Sequence, residues 1–176
     1  MNPVLNIADV ELTEHGWGDA FAARIAQMGP LIGAKQLGCR LVAVPPGKKA
    51  WPYHAHHVNE EMFVILQGAG TLRLGGAERP VKAGDVIACP AGGAETAHQI
   101  INTSETELRY LAISTMLAPE VVEYVDSAKF AVISGSPPGG DKAARRLWYV
   151  GRAEASLDYW DGEGQPGQAA PNAEDH

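Results

Sequence analysis

Cysteine, basic residues and long apolar runs are all scarce in this chain. Only Cys39 and Cys89 occur among its 176 residues. Two cysteines do not build a disulfide scaffold, and both lie in apolar, strand-like runs, so they read as small buried thiols. Lysine and arginine number 14 against 21 aspartates and glutamates, a net charge of −7. The nearest thing to a basic cluster, Lys142, Arg145 and Arg146, is diluted by Asp141. That balance argues against nucleic acid as a partner, because phosphate contacts need clustered cations. No stretch nears the length of a membrane-spanning helix, and the first residues carry neither a basic segment nor an apolar run. No membrane partner and no signal peptide are therefore expected, and the cytoplasm is the default location.

What the chain has in quantity is punctuation: 20 glycines and 12 prolines, the mark of short strands joined by tight turns. Its length fits one domain with a real core. Residues 1–35 read as a lead-in, in which 19–28 is expected to form one short helix. Phe21, Ile25 and Met28 would share a face, and Gly29-Pro30 would end it. No helix-turn-helix fits in so short a lead. From Gln36 the pattern turns to strands, expected at 37–44, 61–66, 71–74, 78–81, 86–89, 98–102 and 108–115, with Gly75-Gly76 as a hairpin turn. The fold class is all-β, an antiparallel barrel or jelly roll. The expected organisation is a lead-in over 1–35, a barrel core over 36–118, a C-terminal extension over 119–162 and a flexible tail over 163–176. The extension holds one or two strands within 121–133 and a strand or helix end at 146–151.

Four of the six histidines fall into two short blocks, and three of them with one glutamate look built to hold a metal. His54 and His56 are two apart, so on a strand they share a face, and His57 points to the other. Glu61 follows a turn-like Val58-Asn59 and opens the next strand, where a hairpin can set it across from the pair. His98 is distant in sequence but on a strand of the same barrel. Imidazoles and a carboxylate on an inner face make an open nitrogen and oxygen site, suited to Mn, Fe, Co, Ni or Zn. Glu60 is the alternative carboxylate. The four-residue spacing and the apolar Phe63 and Ile65 in phase with it favour Glu61.

The blocks read His54-x-His56-x4-Glu61-x6-Gly68 and Gly84-x5-Pro90-x-Gly92…His98-x3-Asn102. Together they resemble the paired motifs of the cupin superfamily, over about residues 36–115. More loosely, the whole chain is similar to small single-domain bacterial cupins of the type-2 group. The resemblance implies a double-stranded β-helix, with His54, His56, Glu61 and His98 as ligands of one divalent transition metal ion. Two spacings depart from the pattern. Six residues separate Gly47 from His54 where five are usual, and five separate Gly92 from His98 where two are usual. Both insertions fall in the turn before a ligand, where they move a loop and leave strand register intact.

Around this set, His57 is expected at the surface, and His15 and His176 in solvent. Trp51, Tyr53, Gln99 and Tyr110 could line the pocket mouth or back the ligands, with plain packing as the simpler role. Asn102 is expected to close a turn. Glu95 is the one spare carboxylate of the second block. Trp148, Tyr149, Tyr159 and Trp160 put four aromatics in the extension, to cap the barrel's open end or to pack across a homodimer. The function expected is a small metalloenzyme acting on a small polar molecule (a sugar, sugar phosphate or organic acid) by dioxygenase or isomerase chemistry. The alternative is a non-catalytic, ligand-binding or sensory module.

Overall fold

The computed structural model of the chain describes residues 2–164. It has thirteen strands: β1 (Thr13–Trp17), β2 (Phe21–Gln27), β3 (Leu37–Val44), β4 (His54–His56), β5 (Glu61–Gln67), β6 (Ala69–Leu74), β7 (Ala77–Lys82), β8 (Val86–Cys89), β9 (His98–Ile101), β10 (Leu108–Thr115), β11 (Glu120–Tyr124), β12 (Lys129–Ser134) and β13 (Leu147–Gly151). Helical structure among the described residues is limited to single 3-10 turns of three residues. The strands form two sheets, in the orders β1-β2-β3-β10-β5-β8 and β13-β12-β11-β4-β9-β6-β7, and the named strands pair antiparallel throughout. The jelly roll expected from the glycine and proline spacing is the fold found.

The core lies between the sheets. Strand β10 alternates between buried and half-buried along Leu108, Tyr110 and Ala112, and β5 does the same through Phe63 and Ile65. These residues join Val42, Val44, Leu72, Ile87, Cys89 and Ile100 in one apolar cluster. Each fully buried aliphatic side chain, such as Ile65 or Leu108, contributes about 1.5–3 kcal/mol. Asn102 is fully buried and closes a turn as expected: its amide donates to the carbonyls of Val44 and Thr106, each at 2.8 Å.

The helix expected at 19–28 is absent. Those residues supply β2, which pairs with β1 on one side and β3 on the other. Phe21, Ala23 and Ile25 also recur at the two-residue period of a strand, with Ala23 fully buried. Two neighbouring ladders outweigh the weak helical spacing. Of the expected tail 163–176, residues 165–176, His176 among them, lie outside the described residues.

Gly68 joins β5 to β6 at a φ of +80°, and a Cβ there would run into the carbonyl of Glu107. Gly76, at +82°, has open space around its missing Cβ. Gly68→Ala should therefore cost about 1–3 kcal/mol in urea unfolding, and Gly76→Ala about 1 kcal/mol or less. Equal losses would show that crowding at Gly68 carries no weight.

Candidate functional site

Short β4 carries two of the four residues singled out, and its neighbours set the rest. In register, His54 of β4 faces His98 of β9, while Tyr124 and Val122 of β11 lie opposite His54 and His56. Glu61 arrives from the other sheet, at the start of β5. Its partners in register are Ser114 of β10 and Cys89 of β8. The cluster thus spans the gap between the two sheets.

Three imidazoles converge on one oxygen of Glu61. The Nε2 atoms of His98, His56 and His54 stand 2.9, 3.7 and 4.0 Å from Glu61 Oε2. His54, Glu61 and His98 form the tightest trio, with one ligand atom of each within 4.8 Å of the others. His98 donates through Nε2 to Glu61. His54 turns Nδ1 to the Pro52 carbonyl at 2.8 Å, and His56 turns Nδ1 to Glu120 Oε2 at 3.2 Å. Donation through Nδ1 fixes the tautomer and leaves the Nε2 lone pairs of His54 and His56 facing a carboxylate oxygen. Such a focus of electron density is repulsive unless a proton or a cation sits in it. Atoms about 2.1 Å from a shared metal lie roughly 3–4 Å apart, a range the distances to Glu61 fall in or beside, so this donor set fits a metal ion once the imidazole nitrogens draw in around it.

The local electrostatics agree. Burial, with the neighbouring His98 and His56, pushes His54 down to about 3, against the pull of Glu61 and the Pro52 carbonyl. Its Nε2 lone pair is available at any pH well above that. Burial pushes the Glu61 carboxyl up, but the His98 hydrogen bond and the electrostatic influence of the neighbouring imidazoles outweigh it and hold the group at about 2.

His54, His56 and Glu61 floor a cavity of about 660 Å³, with His98 buried behind them. Phe63, part of the apolar core, also lines this cavity, with its ring 5.5 Å from that of His98. Trp51 lines it too, whereas Tyr53, Gln99 and Tyr110 are buried behind the wall. The Tyr53 hydroxyl accepts from Gly76 N–H at 2.9 Å, and Gln99 donates to the Trp51 carbonyl at 2.8 Å. Glu60 is exposed and faces away from the cluster. His57 is exposed beside Glu123, at 3.3 Å. Glu95 is turned back on its own loop, where it accepts from Gly93 N–H.

Two placements depart from the sequence reading. His15, expected in solvent, lines the cavity, with its ring 5.7 Å from that of Trp51. It arrives on β1, in a segment that carried no strand signal. Burial pushes it below its ordinary value, with Arg40 and Lys142 adding to the effect against a hydrogen bond with the Ala50 backbone. The second is Glu120, which the sequence reading passed over and which is fully buried. It meets His56 Nδ1 and accepts from the backbone N–H groups of Val58 and Asn59, at 3.0 and 3.1 Å, and from the Asn59 amide. Burial pushes its carboxyl up, yet the bonds from His56 and Asn59 prevail and hold it low. Nothing local marks it in a Pro119-Glu120-Val121 run, because its partners lie about sixty residues earlier.

Glu120→Ala should lower stability by about 2–4 kcal/mol, since several buried donors lose their acceptor together. Glu120→Gln, which keeps one carbonyl oxygen, should recover part of that loss. Thermal or urea unfolding of the two variants reads the difference, and an Ala variant as stable as wild type would contradict the network.

Comparison with known proteins follows the same lines. A family model described as a cupin domain matches residues 40–114. The oxalate-binding protein of Thermotoga maritima is 31% identical over 102 residues, which is 58% of this chain and 80% of that protein. A structure of a predicted oxalate decarboxylase from Thermotoga maritima superposes with a TM-score of 0.55 at 26% identity, covering 65% of this chain and 99% of the other. A structure given as a sugar phosphate isomerase from Silicibacter pomeroyi has a TM-score of 0.71 at 23% identity, covering 90% of this chain and 98% of that one.

Proposed function

The chain belongs to the cupin superfamily, in its type-2 group, and from that premise we propose that it is a small metalloenzyme. In this reading His54, His56, Glu61 and His98 hold one divalent transition metal ion on the cavity floor, and a small polar molecule binds above it. The convergence of three imidazole Nε2 atoms on one buried carboxylate oxygen carries the reading. Three nitrogens and one oxygen suit Fe, Mn, Co, Ni or Zn and leave coordination positions open. When bound, such an ion supplies Lewis acidity toward a substrate oxygen, or a site for oxygen chemistry.

The protein's own residues do the rest. Glu120 and the Pro52 carbonyl orient the imidazoles through their Nδ1 atoms, as outer partners of metal ligands do. Phe63 and Trp51 give the substrate an apolar wall. His15, whose pKa burial lowers, stands in the same cavity as an imidazole able to take and return a proton, which favours isomerase over dioxygenase chemistry. Organic acids and sugar phosphates are the substrate classes this suits. We take the barrel over 36–118 and the extension over 119–162 as one working unit. We also take the protein as a cytoplasmic homodimer, a reading supported by the exposed Leu147, Tyr149 and Leu157 of the extension.

A second reading has one observation in its favour. The Thermotoga maritima relative is named for binding oxalate, not for turning it over. A binding module of this kind would take up its ligand with or without turnover.

Elemental analysis of untagged protein tests the metal. About one equivalent of a first-row transition metal is expected. His56→Ala and His98→Ala should each lower occupancy substantially at unchanged far-UV circular dichroism. Wild type that stays metal-free after soaking with Fe, Mn, Ni, Co and Zn ends the metalloenzyme reading.

A further inference from the structure

Five arginines are partly buried among the described residues. Three of them meet a carboxylate: Arg24 to Glu107 at 2.6 Å, Arg73 to Asp126 at 2.8 Å and Arg109 to Glu107 at 3.7 Å. The other two, Arg40 and Arg145, make no ion pair, and both line the cavity above the candidate metal site. Lys129 and Lys142 line it as well, and Glu61, engaged with the imidazoles, is the one carboxylate in its wall. A chain of net charge −7 thus surrounds this cavity with four cations.

Their setting is built. Arg40 stands over the ring of Trp51 at 5.6 Å, and Arg145 over Trp148 at 4.6 Å. The Arg145 Nε is buried without a hydrogen-bond partner, which costs free energy unless something else supplies the acceptor. Gly139 lies so close to the Arg40 guanidinium that a Cβ would collide with it, and its φ is +84°. The loop between β12 and β13 thus crosses directly over Arg40 and brings Lys142 and Arg145 to the cavity wall.

We infer that Arg40, Lys142 and Arg145 form an oxyanion clamp, which selects substrates carrying a phosphate or carboxylate group remote from the metal. The inference deepens the function proposed above and rests on it only for where the substrate's other end sits. Guanidinium forks backed by aromatic faces are suited to multiply charged oxyanions. A cavity of about 660 Å³ also leaves room for a body much larger than a two-carbon diacid. Two of the three cations come from the segment after residue 114, beyond the matched cupin domain. Substrate choice is thereby assigned to the extension, and metal binding mainly to the barrel.

Calorimetric titration of the metal-loaded full chain with inorganic phosphate, and separately with citrate, tests the clamp. At least one anion should bind, more weakly as salt rises. Arg145→Gln and Lys142→Gln should each reduce that affinity by roughly tenfold or more, the scale of one lost charge-assisted bond, with metal content unchanged. Tighter phosphate binding assigns a phosphate ester, and tighter citrate binding a carboxylate. Arg145 and Lys142 lie on a loop away from the core, so both variants should fold, and Arg146→Gln on the same loop serves as the control. The clamp is overturned if neither anion binds, or if binding is unchanged in both variants or falls equally in the control. Anion binding that depends on Arg145, in a protein that takes up no metal on soaking, would sustain the clamp and end the metalloenzyme reading alone.

Discussion

A buried carboxylate oxygen facing three imidazole nitrogens is the constraint on which the rest of the structure depends. Left alone, the lone pairs of His54 and His56 and the charge of Glu61 repel one another in a poorly solvated space, so the arrangement must be imposed from outside. The antiparallel match of His54 with His98 fixes two rings side by side. Strand β5, pinned between β10 and β8, brings Glu61 across from the opposite sheet. The Pro52 carbonyl and Glu120 then hold the Nδ1 sides. Rigid strands, not loops, carry all four groups, which is how a site keeps its geometry while empty and full.

Glu120 ties the extension to this constraint. It opens β11, whose register with β4 sets Val122 opposite His56 and Tyr124 opposite His54. Its carboxylate also gathers the Val58 and Asn59 backbone at the turn between β4 and β5. One buried group therefore orients a ring of the cluster and fixes the turn that delivers Glu61. Strands β12 and β13 continue the same sheet outward and end where Trp148 meets the cavity. A barrel without this extension would keep its four site residues but lose the support behind His56.

Much of this was legible in the residues. The β3, β8 and β10 boundaries were readable to the residue, because apolar alternation there ends at Pro45, Pro90 and after Thr115. The choice of Glu61 over Glu60 followed from the phase of Phe63 and Ile65, and the structure places Glu61 inward and Glu60 out. The residues missed share one cause: their role is set by partners far along the chain. His15 sits on an edge strand with no local pattern, β2 hides its period behind small alanines, and Glu120 is defined by Val58 and Asn59. Lys142 and Arg145 looked like a diluted surface cluster because composition does not reveal that a loop folds them over a cavity.

That loop also resolves an apparent conflict in the charge. An acidic chain repels anions at long range, since screened fields extend about 8–10 Å at physiological salt. The cavity's cations act within that distance, where the low-dielectric walls of Trp51, Trp148 and Phe63 strengthen them. Burial pushes the Arg40 guanidinium down and Arg145 adds to it, against the pull of Glu61. Part of the folding free energy is thus held as an uncompensated loss of hydration at Arg40 and Arg145. An oxyanion placed between them relieves it, and the same anion would meet net repulsion over most of the outer surface. The arrangement makes recognition depend on entering the cavity, so selectivity rests on fit at short range and not on attraction from afar.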